Sequence, residues 1–289
     1  MKFLVFGSLN IDHTYQLPHL VQEGETLAST AYAKNEGGKG FNQAIALAKA
    51  GLNVSFAGAI GQDGLFLRDY MQSVGIDTAH VQVLDVPTGH AIIQVDAQGH
   101  NSIFLFGGAN QAITAAHIDQ VLSAFSAGDY LLLQNEISQM ETLMRKAHSK
   151  GMHIILNPSP ISPELLACPL ELVDWFILNE VEGQAMTSAE EPSAVLDALL
   201  SRFSGCHVVL TLGEKGAIYA DSTTRIQQPA VTANVVDTTA AGDTFTGYFF
   251  ASILTGKDPA EALQTAAKAS SLAIAKPGAA RSIPWAYEV

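Results

Sequence analysis

Short, predominantly apolar runs, apolar on both faces, alternate along the chain with longer segments in which apolar residues recur every three to four positions. The runs KFLVF (2–6), VSFAGAI (54–60), YLLLQ (130–134), HIILN (153–157), WFILN (175–179), VVLTL (208–212) and AIYA (217–220) predict strands covered on both faces. The segments 40–51, 64–75, 112–128, 138–151 and 192–205 predict amphipathic helices, each with a glycine at its C-terminal end, and a further helix is expected from about Ala241 to Leu254. Strands and helices in alternation predict an α/β fold: a doubly wound, mostly parallel sheet with helices on both faces.

Two segments interrupt the rhythm. Residues 13–35 contain no helical pattern, and residues 89–106 alternate in β fashion across a turn at Asp96–Gly99. Both read as antiparallel strand material, inserted into a single domain spanning 1–289. Pattern alone leaves two meanings open: a small β-sheet lid over the strand ends, or plain hairpin insertions.

Charge narrows the partners. With 28 acidic against 15 basic residues and a net charge of −13, the chain has no basic surface for nucleic acid or anionic membrane. No apolar stretch is long enough to span a bilayer, and the N-terminal run ends at Gly7 without a leader pattern, so a cytoplasmic protein is expected. Cys168 and Cys206 are expected to be two buried thiols, and the nine histidines show no metal-ligand spacing.

Polar residues cluster where the predicted strands end: Asn10 and Asp12, Gln134 to Glu136, Asn157, Asn179 with Glu182, and Thr211 with Gly213. Strand carboxyl ends line the crevice of an open α/β sheet, so these side chains either converge on one site or serve singly as caps and turns. Amides and carboxylates of this kind suit the hydroxyls of a polyol. The stretch VDTTAAGDTF (236–245) places a small-residue turn and an acid, Asp243, at the mouth of an apolar helix, where free backbone amides and the helix dipole favour a phosphate. A simple N-terminal charge is the alternative reading of Asp243. The glycines of GGKGFN (37–42) permit close approach of a ligand to the backbone. Neither a Walker A loop nor a G-x-G-x-x-G fingerprint is present.

Taken together, GSLNID (7–12), GGKGFNQA (37–44), LNPSP (156–160), NEVE (179–182), TLGEKG (211–216), VDTTAAGDTF (236–245) and KPGAARSIPW (276–285) resemble the ribokinase (PfkB) family of carbohydrate kinases nearly end to end. The ordered pair GGKG-x-N and DT-x-AGD is the most specific part of the match. The resemblance implies ATP-dependent phosphorylation of a sugar hydroxyl, D-ribose to ribose 5-phosphate being the specific expectation. It implies Asp243 as catalytic base and the amides of Ala240, Ala241 and Gly242 as the anion hole. Asn10, Asp12, Gly38, Lys39, Gly40, Asn42 and Glu136 match sugar contacts; Asn179, Thr211, Gly213, Gly216 and Gly242 match nucleotide contacts. Glu182 matches the residue that holds Mg²⁺ through water. Asp237, Thr239, Ala273, Lys276, Gly278 and Ser282 match a monovalent-cation site for K⁺. A homodimer through the lid is implied as well. Phe41 and Asn135 depart from the family pattern beside the expected sugar contacts.

Two other functions stay open on sequence alone: a kinase of a nucleoside or another sugar, and a non-catalytic sensor that keeps the fold. Asp243 and the N-x-x-E pair speak against a sensor, which needs no base at a phosphate site.

Overall fold

A computed structural model describes residues 1–289. In chain order the strands are β1 (Phe3–Phe6), β2 (Asn10–Gln16), β3 (Ala31–Gly37), β4 (Val54–Gly61), β5 (Asp77–Leu84), β6 (Gly89–Val95), β7 (Asn101–Phe106), β8 (Tyr130–Gln134), β9 (His153–Asn157), β10 (Trp175–Asn179), β11 (His207–Thr211), β12 (Ala217–Ala220) and β13 (Arg225–Gln228). The α-helices are α1 (Lys39–Lys49), α2 (Leu65–Ser73), α3 (Ala115–Leu122), α4 (Met140–Ser149), α5 (Pro163–Leu166), α6 (Glu180–Thr187), α7 (Pro192–Arg202), α8 (Ala241–Leu254) and α9 (Pro259–Ile274).

Nine strands form the main sheet in the order β13-β12-β11-β10-β9-β8-β1-β4-β5. From β11 to β5 every pairing is parallel, while β12 and β13 add an antiparallel margin. The AIYA run therefore belongs to the sheet but runs against it. Five residues separate β11 from β12 and four separate β12 from β13, too few for a crossover helix. Alternation along β1 shows how the two faces are filled: Leu4 and Phe6 join the core with Leu143 of α4 and Leu199 of α7, whereas Phe3 and Val5 join Ile45 of α1 and Phe249 of α8.

Helix ends follow their local chemistry. Gly51, Gly75, Gly151 and Gly205 take positive φ just past α1, α2, α4 and α7. The helix expected over 112–128 is shorter, because Thr114 caps it by accepting from the His117 amide and the residues before it form a 3₁₀ turn. Cys206 is buried, but Cys168 is only half-buried, at the exposed end of a short helix, so the expected pair of buried thiols is corrected for Cys168.

The lid is a separate four-stranded sheet, β3-β2-β6-β7. Its strands reach beyond the expected segments: β2 begins at Asn10 and β3 runs to Gly37. Asn10 and Asp12 thus stand on the lid, not at the end of a core strand as expected. The reason is long-range pairing, Asn10 opposite Gly37 on one side and Gly89 on the other. β2–β3 and β6–β7 pair antiparallel as expected, but β2 and β6 are joined parallel.

Candidate active site

At the carboxyl edge of the main sheet, β8 and β9 end in register with Gln134 opposite Asn157, and β10 and β11 end with Asn179 opposite Thr211. The polar strand ends are brought together by that register. The N-terminus of α8 faces them, with Asp243 in its first turn. The turn entering α8 holds Ala240 at φ 61°, a left-handed conformation that costs a residue with a Cβ. It leaves the amides of Ala240, Gly242 and Asp243 without a backbone acceptor, whereas the Ala241 amide donates to the Thr238 carbonyl at 3.2 Å. A Cβ at Gly242 meets no protein atom within 4 Å, and its open side faces a cavity of about 250 Å³ whose walls include Lys39, Asn179, Glu182, Thr211 and Asp243.

Asp243 is 8% exposed and held from both sides. Asn42 Nδ2 donates to its Oδ2 at 3.0 Å and Gln43 Nε2 donates to its Oδ1 at 2.9 Å. Gln43 also donates to Asn157 Oδ1 at 3.0 Å and accepts from Gln134 Nε2 at 2.6 Å, so an amide chain ties α1 to two strand ends and to α8. Asn42 Oδ1 is buried without a partner, an acceptor that suits a hydroxyl donor.

Next to Asp243, charged groups of the lid and the core come together. The Asp12 carboxylate presses on the backbone of Gly37 so closely that a Cβ there would lie 2.1 Å from Oδ2. Burial, then the charges of Glu136 and Asp243, push the Asp12 carboxyl up to about 7. Burial also raises Glu136, although it accepts from Ser8 Oγ and from the Lys39 amide. Burial alone would lower the Lys39 ammonium; Asp243, Glu136 and Glu182 outweigh it and raise it. Gly38, at φ 97°, begins α1 where a Cβ would crowd the Asn10 amide and Ser8 carbonyl at 3.0 Å. Asn10 Oδ1 accepts from Asn110 Nδ2 at 2.8 Å.

On the far side of Gly242 a second cavity of about 500 Å³ shares Thr211, Thr238, Ala241 and Gly242 with the first, and is walled by Gly213, Gly216, Val231, Phe245, Ala267 and Ser271 among others. Asn179 and Glu182 form a reciprocal cap at the start of α6: Asn179 Oδ1 accepts from the Glu182 amide at 2.9 Å, and Glu182 Oε2 from the Asn179 amide at 3.0 Å. The two cavities thus run from Asp243, beside which the Asp12, Glu136 and Lys39 charges gather, past the free amides of α8 to an apolar hollow over β11 and α9.

The pfkB family carbohydrate kinase profile matches residues 1–286. The chain belongs to the pfkB family of carbohydrate kinases. It is 36% identical to a ribokinase of Haemophilus influenzae, an alignment that covers 98% of this chain and 95% of the relative. Among solved structures it is similar to a Cryptococcus neoformans ribokinase in complex with ADP (TM-score 0.88, 34% identity, 99% of this chain and 97% of that one). It is also similar to an Arabidopsis thaliana ribokinase complexed with ribose and ATP (TM-score 0.86, 32% identity, 99% and 96%).

The carbohydrate kinase fold also gathers the residues matched to a K⁺ site. Asp237 Oδ1 accepts from Thr239, and its Oδ2 accepts from the Gly278 amide at 2.9 Å, which joins the 236–239 turn to the 276–282 segment. Burial pushes the Asp237 carboxyl up, but these hydrogen bonds outweigh it and hold it below the usual range. The Thr239, Lys276 and Gly278 carbonyls accept no backbone N–H, so oxygen donors are free there for a large monovalent ion. The Ala273 carbonyl, by contrast, accepts from the Lys276 amide at 3.1 Å, and Ser282 Oγ donates to the Ala279 carbonyl. Glu182, with Oε1 and Oε2 both engaged by Asn179, fits an outer role toward Mg²⁺ through water better than direct ligation.

Three residues of this network have no place in the sequence-based site: Ser8, Gln43 and Asn110. Gln43 lies in the GGKGFNQA motif, and that membership is its one sequence signal, because neighbours one position apart on a helix point in different directions. Phe41 and Asn135 turn away from the cavity beside Asp243. Phe41 is buried against Tyr70, their ring centroids 6.0 Å apart, and Asn135 Nδ2 donates to Pro160 O and Ser162 Oγ.

Proposed function

We propose that the protein is an ATP-dependent ribokinase, transferring the γ-phosphoryl group of ATP to the 5-hydroxyl of D-ribose to give ribose 5-phosphate and ADP. The observation that carries this reading is Asp243, buried at the free amides of α8 between the lid carboxylate Asp12 and the apolar cleft. Ribose is favoured over other acceptors by the Haemophilus influenzae and Arabidopsis thaliana relatives, the latter bound to ribose and ATP.

Asn10, Asp12, Gly38 to Gly40, Asn42 and Glu136 hold the sugar hydroxyls, and Asp243 accepts the proton of the attacking hydroxyl as its oxygen bonds to the γ-phosphorus and the bridging P–O bond to ADP breaks. The amides at the mouth of α8 neutralise charge on the equatorial oxygens. Asn179, Thr211, Gly213 and Gly216 line the nucleotide, whose adenine occupies the apolar hollow over α9. Glu182 would hold Mg²⁺ through water, and the ion would supply charge neutralisation for the phosphates. The free carbonyls of Thr239, Lys276 and Gly278, beside Asp237, would hold K⁺, which would supply a fixed charge next to the turn into α8.

The same reading makes the enzyme a cytoplasmic homodimer. No helix is long and apolar enough to cross a membrane. In the lid, the edge strand β7 leaves Ile103, Phe104, Leu105 and Phe106 about half exposed, an apolar edge that a second copy would cover.

A coupled ADP-release assay with ATP, Mg²⁺ and a panel of D-ribose, 2-deoxyribose, hexoses and nucleosides tests the assignment. D-ribose is expected to give the highest kcat/KM; a nucleoside or hexose at the top of the panel would replace it.

A further inference from the structure

One ion pair links the lid to the far C-terminal segment. Arg281 Nε and Nη2 donate to Glu36 Oε2 at 3.1 Å and Oε1 at 2.6 Å, a two-pronged contact between residues 245 positions apart. Glu36 belongs to β3, where it lies opposite Ile11 and directly precedes Gly37, the residue against which the Asp12 carboxylate rests. Any movement of residues 36–37 therefore moves the wall behind Asp12.

The arginine stands on a fixed base. Lys49 of α1 donates to the Ala280 carbonyl at 3.0 Å and the Ile283 carbonyl at 2.8 Å, clamping the segment on both sides of Arg281. Tyr248 of α8 donates to the Pro284 carbonyl at 2.6 Å, and the Gly278 amide donates to Asp237. Helix α2 completes the arrangement: Tyr70 lies 5.5 Å beneath the Arg281 guanidinium, and one turn earlier Phe66 lies 4.4 Å beneath Lys34 Nζ, also on β3. The body of the enzyme thus presents two aromatic rings and one anchored guanidinium to the outer edge of β3.

We infer that Arg281 and Glu36 are positioning residues for the sugar: the anchored guanidinium holds β3 against the body and so sets Gly37 and Asp12 for the acceptor, without touching sugar or nucleotide. Burial pushes the Glu36 carboxyl up, but Arg281 outweighs it and keeps the carboxyl below its usual range. Arg281 itself is largely exposed, so the pair adds little to global stability and its effect falls on the placement of the lid.

This inference rests on the placement of the sugar between lid and α8, and the test separates the two. Arg281→Met, Glu36→Gln, the double variant and Asp12→Asn are compared by steady-state kinetics, varying D-ribose and ATP in turn, with melting temperatures recorded. The expected result is a roughly five- to tenfold rise in ribose KM in each of the two single variants, with the same rise, not its square, in the double variant, as for residues acting as a unit. KM for ATP, kcat and half-activation by K⁺ are expected to stay within about twofold of wild type. An unchanged ribose KM in Asp12→Asn overturns the sugar placement. A raised KM there beside unchanged values in both single latch variants overturns the role of the pair alone. Equal rises in ribose and ATP KM, or a shift in Arg281→Met that Glu36→Gln does not reproduce, also overturn it.

Discussion

Gln43 Nε2 donates to Asp243 Oδ1 at 2.9 Å while its own carbonyl accepts from Gln134, so the carboxylate assigned as base is oriented by an amide that is completely buried. Replacing Gln43 with Leu removes that donor and leaves Asn157 and Gln134 short of a partner. Losing a hydrogen bond to a charged group costs about 1.5–3 kcal/mol, so kcat is expected to fall about ten- to a hundredfold, with a lower melting temperature. Single-turnover kinetics on Gln43→Leu check this; an unchanged chemical step would mean that Asn42 alone orients Asp243.

Acceptor binding is expected to depend on pH near neutrality. Burial, Glu136 and Asp243 raise the Asp12 carboxyl to about 7, with Lys39 the cation facing the same group of acids. Sugar hydroxyls donate best to the ionised form, so ribose KM is expected to fall as pH rises from 6 to 8, and Asp12→Asn is expected to flatten the profile. For folding the sign is opposite. The folded state holds this proton more tightly than the unfolded chain, so the stabilising contribution is full below about 4 and is lost as pH rises to about 7. A ribose KM that rises with pH in the wild type would refute the role of the Asp12 carboxylate.

K⁺ is expected to raise turnover by fixing the turn that presents the amides of α8. Assays in KCl against a large organic cation chloride at equal ionic strength measure the effect, and Asp237→Ala, which cuts the tie to Gly278, is expected to abolish it. Equal rates in the two salts would remove the cation from the account.

The lid edge gives a test of assembly. Sedimentation at micromolar concentration is expected to show a dimer for the wild type and a monomer for Phe104→Asp, whose side chain lies on the exposed strand β7. A monomeric wild type would leave the apolar edge without its proposed cover.

Helices α1, α2, α3, α4, α7 and α8 and the central parallel strands were legible from their apolar periodicity, whereas α6 and α9 were not among the expected helices. Also legible were Asp243, marked by a small-residue turn before an apolar helix, and the polar residues that close the apolar runs, whereas which of these stand opposite one another is set by sheet register. The placement of Asn10 and Asp12 on the lid was not legible: it depends on pairing with Gly37 and Gly89, which no local pattern records. β5 and β13 escaped for a related reason, as edge strands with mixed polar faces. The ties of Gln43 to Gln134 and of Arg281 to Glu36 join residues far apart in the chain and exist only once α1, β8 and the C-terminal segment have packed.

The most direct test of the central claim is transfer of labelled γ-phosphate from ATP to D-ribose by wild type and Asp243→Asn, with ribose and ATP affinities measured on both by calorimetry. The wild type is expected to form ribose 5-phosphate and ADP in equal amounts, and the variant to bind both substrates while turning over about 10² to 10⁴ more slowly. No labelled ribose phosphate from the wild type, or a near wild-type rate from Asp243→Asn, would contradict it.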